Sequence, residues 1–391
     1  MTKRNVFSKL QIVLFMVLVF GAGHAVGSGR VQFQKDNPNN LPADLNYSTV
    51  ETLYDSLKEQ YNGKLTQQQL LDGIKHGLAE ATGDPYTVYF TPKEAKEFES
   101  DLNNTFSGVG AELSKDQQGN IQVVSPISGM PAEKAGVRAK DVIAAINGKT
   151  TAGMTVEQAV RAIRGEAGTD VTLRLLRGGT QAVEITITRQ TIQIPSIETE
   201  VTADKIAVIT INSFANDTAA LMQKAAQEAK AAGVRGIVLD MRNNPGGHVD
   251  AAVAVASQWL PSGTMIMQEK RGNTVTQTYK STGAAGLRGI PTTVLINGGS
   301  ASASEIVAAA LRDNKQATVV GEKSYGKGVV QRLVSFRDGS ELKVTIASWH
   351  RPNGQNINKK GITPDTVVTL TEEDFTAGRD PQLDAAKATF K

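Results

Sequence analysis

The sequence of 391 residues contains no cysteine. This absence excludes disulfide bonds, zinc–thiolate sites, lipid attachment to a cysteine and a cysteine nucleophile. Histidine is also scarce, with four residues in the whole chain, so a catalytic histidine has few candidates. With 40% hydrophobic and 21% charged residues, the composition is that of a globular protein, and the length allows two or three domains of about 100–200 residues each.

The amino terminus lacks an apolar run of the length that crosses a membrane easily. Residues 12–22 are apolar, which is shorter than the roughly 20 residues that a spanning helix prefers. Three basic residues precede the run, and small residues follow at Gly23-His24-Ala25. Residues 1–26 are therefore expected to be a secretory signal peptide or an uncleaved anchor. Cleavage would remove three positive charges, so the net charge of +3 does not indicate a nucleic-acid partner.

The next segments predict a linker and then helices. Residues 27–46 are polar and contain Asn and Pro, which is typical of a linker. Residues 47–103 predict a helical region, in which apolar side chains first recur at a helical spacing at Val50, Leu53, Tyr54 and Leu57. A capping box at Thr66 predicts a second helix, and Pro92 begins a third.

A strand–turn–helix element stands out in the second half of the chain. The β-branched run Thr292–Ile296 predicts a buried strand, and Ala303–Asp313 has the apolar spacing of a helix. Three serines lie at alternate positions around the turn: Ser300, Ser302 and Ser304. A serine at this place is either an N-cap of the helix or a side chain presented for chemistry.

A lysine between two glycines follows this element. Lys327 lies between Gly326 and Gly328 and precedes an apolar run. A serine hydroxyl becomes a good nucleophile when a base takes its proton, and a neutral lysine amine can act as that base. Burial favours the neutral amine, because desolvation disfavours the charged form. The alternative is an ordinary surface lysine in a loop.

Two stretches of this region, NGGSASASEIVAAAL and GEKSYGKGVVQ, resemble the carboxyl-terminal processing proteases, also called tail-specific proteases. These are serine peptidases with a Ser/Lys dyad. The resemblance implies that Ser302 is the nucleophile and that Lys327, twenty-five positions later, is the base. It also implies that Gln331, four positions further on, orients the lysine. The resemblance also implies a dimerising or capping role for the helical region before the protease, and GDPYTVYFTP within that region resembles another stretch of the family.

Residues 104–190 resemble a PDZ domain. The run FSGVGA fits the loop that binds a chain-terminal carboxylate, because glycines let successive N–H groups converge on an anion. The resemblance therefore implies a peptide-binding loop at Gly108, Val109, Gly110 and Ala111. A captured tail would add as a strand beside this loop, and the small side chains of the groove suggest apolar carboxyl-terminal residues.

Arg164 closes the helix that a capping box at Thr155 predicts. In related proteases an arginine of this phrase links the position of the PDZ domain to the active site, so Arg164 is a candidate for a regulatory role. An arginine that is favoured only by the helix dipole is the alternative.

From residue 191 the pattern changes to alternating strands and helices. Ile206–Ile211 predicts a strand, Gly233 ends the helix that follows, and the next strand ends at Asp240. Such units predict parallel strands covered by helices. The turn RNNPGG then resembles the family's R-x-N-P-G-G. By this resemblance an oxyanion hole is expected from the N–H groups of Gly246, Gly247 and Ala303, although a tight turn without a chemical role is the alternative.

The expected fold is therefore a multidomain α/β protein. It combines a helical amino-terminal region at 47–103, a PDZ domain at 104–190, and a βαβ-containing Ser/Lys protease core of the crotonase-like type at 191–370. A tail at 371–391 is expected to help oligomerisation.

Two other catalytic interpretations are open. His248 or His350 with Asp240 or Asp250 would suit a Ser-His-Asp triad. The second interpretation is a nucleotide-binding loop, since residues 321–327 satisfy GxxxxGK. Against it, Gly328 stands where such a loop needs Ser or Thr. The segment also follows a helix and precedes a strand, which is the reverse of the required order.

The expected function is that of an extracytoplasmic serine endopeptidase, in the periplasm or cell envelope, that recognises protein or peptide substrates by their carboxyl termini. No metal or cofactor is implied. Expected partners are further copies of the chain, an adaptor protein, and the membrane if the amino-terminal segment is retained. The alternative from another class is a secreted PDZ scaffold that binds tails without cleaving them.

Overall fold

The computed structural model describes residues 46–390. The expected signal peptide or anchor at 1–26, and all but the last residue of the expected linker, lie outside the described residues. Within the described range, no helix is both long and apolar enough to cross a membrane.

The described residues fall into two compact units, 46–69 and 70–390. In the first, the predicted helix is confirmed as α1, Ser48–Gln60. The predicted capping box is also present: Thr66 N donates to Gln69 Oε1 over 2.8 Å, and Gln69 N donates back to Thr66 Oγ1. Helix α2 begins there and runs over Gln67–Glu80.

The second unit continues with a short strand and a capped helix. Strand β1 covers Val88–Phe90, and helix α3 covers Pro92–Leu102, as its proline predicts. Thr91 and Glu94 form a capping box at the start of α3. This satisfies backbone donors that a helix start otherwise leaves without acceptors.

Residues of the predicted PDZ domain form two sheets and two helices. The strands are β2 Thr105–Gly108, β3 Ala111–Lys115, β4 Ile121–Pro126, β5 Val142–Ile146, β6 Lys149–Thr150, β7 Asp170–Arg177, β8 Gln181–Thr188 and β9 Gln190–Gln193. The helices are α4 Pro131–Lys134 and α5 Val156–Ile163. The main sheet has the order β3-β4-β5-β7-β8, and β2 pairs separately with β9. Strand β3 is therefore an edge strand, open on the side where a peptide would add.

The remaining residues form the α/β core that the alternating pattern predicts. Its strands are β10 Ile197–Val201, β11 Ile206–Ile211, β12 Gly236–Asp240, β13 Met265–Arg271, β14 Thr274–Lys280, β15 Thr292–Ile296, β16 Thr318–Gly321, β17 Val329–Ser335, β18 Glu341–His350 and β19 Thr366–Val367. Its helices are α6 Thr218–Ala232, α7 Val249–Ala256, α8 Ala303–Asp313, α9 Glu372–Thr376 and α10 Pro381–Ala388. Strand β12 begins two residues later than the pattern from Val234 suggests, because Val234 and Arg235 still belong to the turn after the Gly233 cap.

Two sheets organise this core. The first has the order β10-β11-β12-β15-β16-β19 and is parallel except for β10. The second has the order β1-β18-β13-β14, with β17 paired to β18. Strand β1, from the region before the PDZ domain, thus completes a sheet of the core through β18. The Ser302 turn, the RNNPGG turn and the Lys327 loop all follow carboxyl ends of parallel strands, at the sheet edge where ligands bind in such folds.

Each face of the parallel sheet has its own cover. Side chains alternate along a strand, so Ala207, Ile209 and Ile211 pack in the cluster that contains helices α6, α7 and α8. Ile206 on the opposite face packs with Ala386 of α10 instead. The carboxyl-terminal tail therefore covers the core sheet, and its expected part in oligomerisation stays a prediction.

Candidate active site

The three serines of the strand–turn–helix element have different surroundings. Ser300 and Ser304 are fully buried. Ser300 Oγ donates to Met241 O over 2.7 Å, and Ser304 Oγ donates to Asn244 O over 3.0 Å. Ser304 therefore binds the RNNPGG turn and Ser300 the residue just before it, whereas Ser302 lies between them and is partly exposed.

The backbone of Ser302 is strained. Its φ of 54° and ψ of −112° lie outside the regions that residues with a Cβ prefer. Such strain persists only where surrounding contacts maintain it, and it is frequent at catalytic positions. A sharp strand-to-helix turn is also the arrangement that exposes the serine hydroxyl of other hydrolases.

The RNNPGG turn touches this serine directly. A Cβ added to Gly246 would lie 2.8 Å from Ser302 Cβ and 3.0 Å from Ala303 N. A Cβ added to Gly247 would lie 2.1 Å from Phe214 O. Both glycines also have positive φ, 105° and 145°. Only glycine therefore allows the turn to approach Ser302 as closely as it does.

The three N–H groups expected to form an oxyanion hole are not equivalent. Gly246 N donates over 2.9 Å to Asn244 Oδ1 within its own turn. Ala303 begins helix α8, so its N–H has no acceptor within the helix. Among the described residues, Gly247 N likewise has no acceptor. Gly247 N and Ala303 N are thus unengaged donors, whereas Gly246 N is engaged and Gly246 allows the close approach to Ser302.

A buried carboxylate, Glu305, joins the serine and the lysine. Its Oε2 accepts from Ser302 N at 2.9 Å and from Lys327 N at 3.0 Å. The two nitrogens share one acceptor atom, so they lie no further apart than the sum of these distances. Oε1 accepts from Gly326 N at 2.8 Å and from the hydroxyl of Ser324. Burial raises the pKa of Glu305, and these hydrogen bonds oppose the rise.

Lys327 is largely shielded from water. Burial lowers the pKa of its amine, and the nearby charge of Lys343 lowers it further, whereas Asp84 and Glu305 oppose the change. Its Nζ lies 5.2 Å from the centroid of the Tyr86 ring. Its carbonyl accepts from Trp349 Nε1 over 2.8 Å. No hydrogen bond between Lys327 Nζ and Ser302 Oγ is found among the described residues.

Gln331 lies on β17, four residues after the lysine. Its Nε2 donates over 3.3 Å to Thr345 Oγ1 on the paired strand β18. A register shift falls between Val330 and Gln331. The side-chain amide of Gln331 is thus anchored to strand β18.

The histidine interpretations find little support in the geometry. His350 is engaged by Ser348 Oγ and by Gly354 O. Asp240 is bound by Arg242, which also pairs with Asp380 of the tail through two hydrogen bonds of 2.9 and 2.8 Å. His248 Nε2 is buried without a partner among the described residues, and no hydrogen bond joins it to Ser302.

The predicted peptide loop borders a small apolar cavity. Gly108, Val109, Gly110 and Ala111 line a space of about 170 Å³ between strand β3 and helix α5, together with Leu113, Val160, Ile163 and Arg164. Gly110 has a φ of 75°, and a Cβ there would lie 2.5 Å from Met130 Cβ. The cavity has the dimensions of one apolar side chain rather than of a larger ligand.

Arg164 reaches from the end of α5 to the start of the peptide loop. Its guanidinium carbon lies 5.0 Å from the centroid of the Phe106 ring, which is cation–π geometry. Phe106 belongs to β2, two residues before Gly108. Near the start of the same strand, Asn104 Nδ2 donates over 2.6 Å to Ser213 Oγ. Phe214, the next residue, donates its N–H to Gly246 O over 2.9 Å.

Sequence reasoning gave no role to several residues that this site contains. Glu305 appears in the sequence only as the third residue of a capping box with Ser302, and a capping box alone does not indicate contact with a distant loop. Asp84 and Tyr86 belong to GDPYTVYFTP, which resembled the family without suggesting a function. Among residues 46–390, no group of three or more His, Cys, Asp or Glu is arranged to hold a metal ion.

Two family profiles and several known proteins match this chain. The sequence profile of peptidase family S41 matches residues 205–368, and that of a PDZ domain matches residues 122–177. The chain is 35% identical over 389 residues to the carboxy-terminal processing protease CtpA of Bacillus subtilis (strain 168), covering 98% of this chain and 82% of that one. It is 37% identical over 369 residues to a CtpA-like serine protease of Staphylococcus haemolyticus, covering 94% and 74%.

Solved structures give the same assignment. The photosystem II D1 C-terminal processing protease is similar with a TM-score of 0.50 and 30% identity, over 82% of this chain and 86% of that one. An S41 protease structure from Bacteroides fragilis NCTC 9343 matches with a TM-score of 0.56 over 90% and 97% of the two chains, and at 16% identity this likeness concerns the fold alone.

Replacing the shared carboxylate tests its part in the site. Glu305→Gln leaves one acceptor oxygen and faces the backbone donors with an amide NH₂, so at least two buried donors lose their acceptor. We expect the free energy of unfolding to fall by at least about 2 kcal/mol, measured by chemical denaturation. Labelling of Ser302 by a fluorophosphonate should fall with it. Glu372→Gln, on exposed α9, is the control; labelling of Glu305→Gln at the wild-type rate would contradict the assignment.

Proposed function

Since the chain belongs to peptidase family S41, among the carboxyl-terminal processing serine proteases with a PDZ domain, we propose that Ser302 and Lys327 form its catalytic dyad. The observation that carries this proposal is the Glu305 carboxylate, which binds the backbone N–H of both residues. A PDZ scaffold that only binds tails would have no use for a strained serine held beside a buried lysine.

The proposed reaction follows from these groups. The neutral amine of Lys327 takes the proton of Ser302 Oγ as this oxygen attacks the carbonyl carbon of the scissile peptide bond. The N–H groups of Gly247 and Ala303 stabilise the negative oxygen of the tetrahedral intermediate, and Gly246 keeps their turn against the serine. The Lys327 ammonium then gives its proton to the leaving amine. Water, deprotonated by Lys327, hydrolyses the acyl-enzyme and restores Ser302.

The surroundings of Lys327 suit a base. A lysine in water holds its proton near neutral pH, but burial and the charge of Lys343 both lower the pKa of Lys327. Gln331 is proposed to orient the amine, since its own amide is anchored to Thr345. No metal or cofactor takes part in this scheme.

The PDZ domain is proposed to select the substrate. The loop Gly108–Ala111 would hold the terminal carboxylate, the tail would pair with edge strand β3, and its last side chain would enter the cavity beside α5. Arg164 contacts Phe106 at the groove. Two residues earlier in the chain, Asn104 contacts Ser213, and the next residue, Phe214, binds Gly246 O. Through these contacts Arg164 is proposed to couple the binding of the substrate tail to the position of the RNNPGG turn.

The proposal has four further parts. The protein lies outside the cytoplasm, in the periplasm or cell envelope, and contacts a membrane through residues 1–26. It assembles into a homo-oligomer and is controlled by an adaptor protein. They rest on the amino-terminal pattern and on the family. Secretion of a fusion that begins with residues 1–26 tests the first of them.

The identity of the base is tested by Lys327→Arg. A guanidinium keeps its proton at all accessible pH values, so kcat for a tagged peptide with an apolar carboxyl terminus should fall at least about 10³-fold, as for other triad and dyad members. Lys323→Arg, in the same loop but exposed, should cleave normally. Retention of peptidase activity within a few-fold by Lys327→Arg would refute the dyad.

The role of the PDZ cavity is tested by Val160→Glu. Val160 lines the cavity, and a carboxylate there repels the terminal carboxylate of a bound tail. We expect KM for the tagged peptide to rise about tenfold or more, the equivalent of about 1.4 kcal/mol, while Ser302 remains reactive to a fluorophosphonate. Arg161→Glu, the next residue and exposed, is the matched control. Equal KM values for wild type and Val160→Glu would show that the cavity does not take part in substrate selection.

A further inference from the structure

The segment Asp84–Pro85–Tyr86, between α2 and β1, lies against the catalytic lysine more than 200 positions away in sequence. Lys327 Nζ lies over the Tyr86 ring, 5.2 Å from its centroid. The Tyr86 side chain also lies near that of Tyr325, two residues before the lysine. Tyr86 is thus close both to the amine and to the loop of the base.

Asp84 contributes a second set of contacts on the same side of the lysine. Its carboxylate accepts from Thr87 Oγ1 over 2.6 Å and from Tyr86 N over 3.2 Å. Thr345 lies near the Asp84 carboxylate and lowers its pKa, and Thr345 Oγ1 accepts from Gln331 Nε2 over 3.3 Å. Thr345 is therefore adjacent both to Asp84 and to the amide of Gln331.

These contacts favour a charged lysine, whereas other features of the site favour a neutral one. A ring face and a carboxylate both attract an ammonium. Burial and Lys343 act against the positive charge. The titratable groups that face Lys327 come from the Asp84 segment, helix α8, strand β18 and its own loop: Asp84, Tyr86, Glu305, Lys343 and Tyr325.

We propose that the Asp84–Pro85–Tyr86 segment holds Lys327 as an ammonium, over the Tyr86 ring and away from Ser302, and that the base reaches Ser302 only after it leaves this position as a neutral amine. The absence of a hydrogen bond between Lys327 Nζ and Ser302 Oγ among the described residues agrees with this arrangement. The proposal rests on Lys327 being the base. Asp84 and Tyr86 are positioning residues in it, since they act through Lys327 and Gln331.

The arrangement makes a prediction of definite sign. Removing the ring or the carboxylate withdraws an interaction that favours the charged form, so the pKa of Lys327 falls. The ascending limb of kcat/KM against pH, which reports the base of the free enzyme, then moves to lower pH. Below the wild-type midpoint the variants cleave faster than wild type, which a purely structural role of the segment would not produce.

Tyr86→Leu is the main variant, and Tyr86→Phe, which keeps the ring face, is its control. For Tyr86→Leu we expect the midpoint of the ascending limb to fall by about 0.5–1 pH unit, and for Tyr86→Phe we expect the wild-type midpoint. Asp84→Asn, which keeps the size of the side chain, should shift the midpoint in the same direction. The pH dependence of Ser302 phosphonylation by a fluorophosphonate gives the same midpoint without peptide binding.

The outcomes separate this proposal from the proposed dyad. Activity of Lys327→Arg would overturn both. An inactive Lys327→Arg together with an unshifted midpoint in Tyr86→Leu and Asp84→Asn would overturn the role of the segment alone. A loss of rate at every pH without a shift, equal in Tyr86→Leu and Tyr86→Phe, would also overturn it, because the ring would then only support the fold.

Discussion

The site depends on one buried carboxylate that accepts four hydrogen bonds. Glu305 takes backbone N–H groups from both sides of the cleft, Ser302 on one and Gly326 and Lys327 on the other. A carboxylate that is buried without such donors loses its hydration with nothing in return, which lowers the free energy of unfolding. Helix α8 therefore cannot shift relative to the 324–328 loop without breaking these bonds. The carboxylate thus sets the relative position of the serine and lysine backbones in the absence of substrate.

Close approach of backbone segments is the second feature of the site. Gly246 and Gly247 bring one turn against Ser302 and Phe214, and Gly328 brings the lysine loop against Asn358, where a Cβ would lie 2.4 Å from Asn358 N. Ser304 completes the contact by donating to a carbonyl of the RNNPGG turn, and Ser300 donates to the carbonyl of Met241 just before it. The serine run thus contains one residue with a proposed chemical role and two that hold the turn. This division of roles explains why a nucleophile in a strained conformation is accompanied by two buried serines.

Local features of the fold were predictable from the sequence, and long-range contacts were not. The strand Thr292–Ile296, the helix Ala303–Asp313 and the capped helix after Thr155 follow from periodicity and capping, which act within a few residues. The roles proposed for Ser302, Lys327 and Gln331 come from motif resemblance. The contact of Tyr86 with Lys327 and the pairing of Arg242 with Asp380 depend on how distant segments pack. No spacing rule in a single sequence encodes such contacts.

The central claim is that Lys327 titrates as the base for Ser302. Its most direct test is the titration of the lysine side chain by NMR in protein labelled at lysine Cε, with the Lys327 signal assigned from its absence in Lys327→Arg. The account predicts a pKa below the ordinary value of 10.5 that coincides with the midpoint of the ascending limb of kcat/KM. A pKa at or above 10.5, or one that differs clearly from that midpoint, would contradict it.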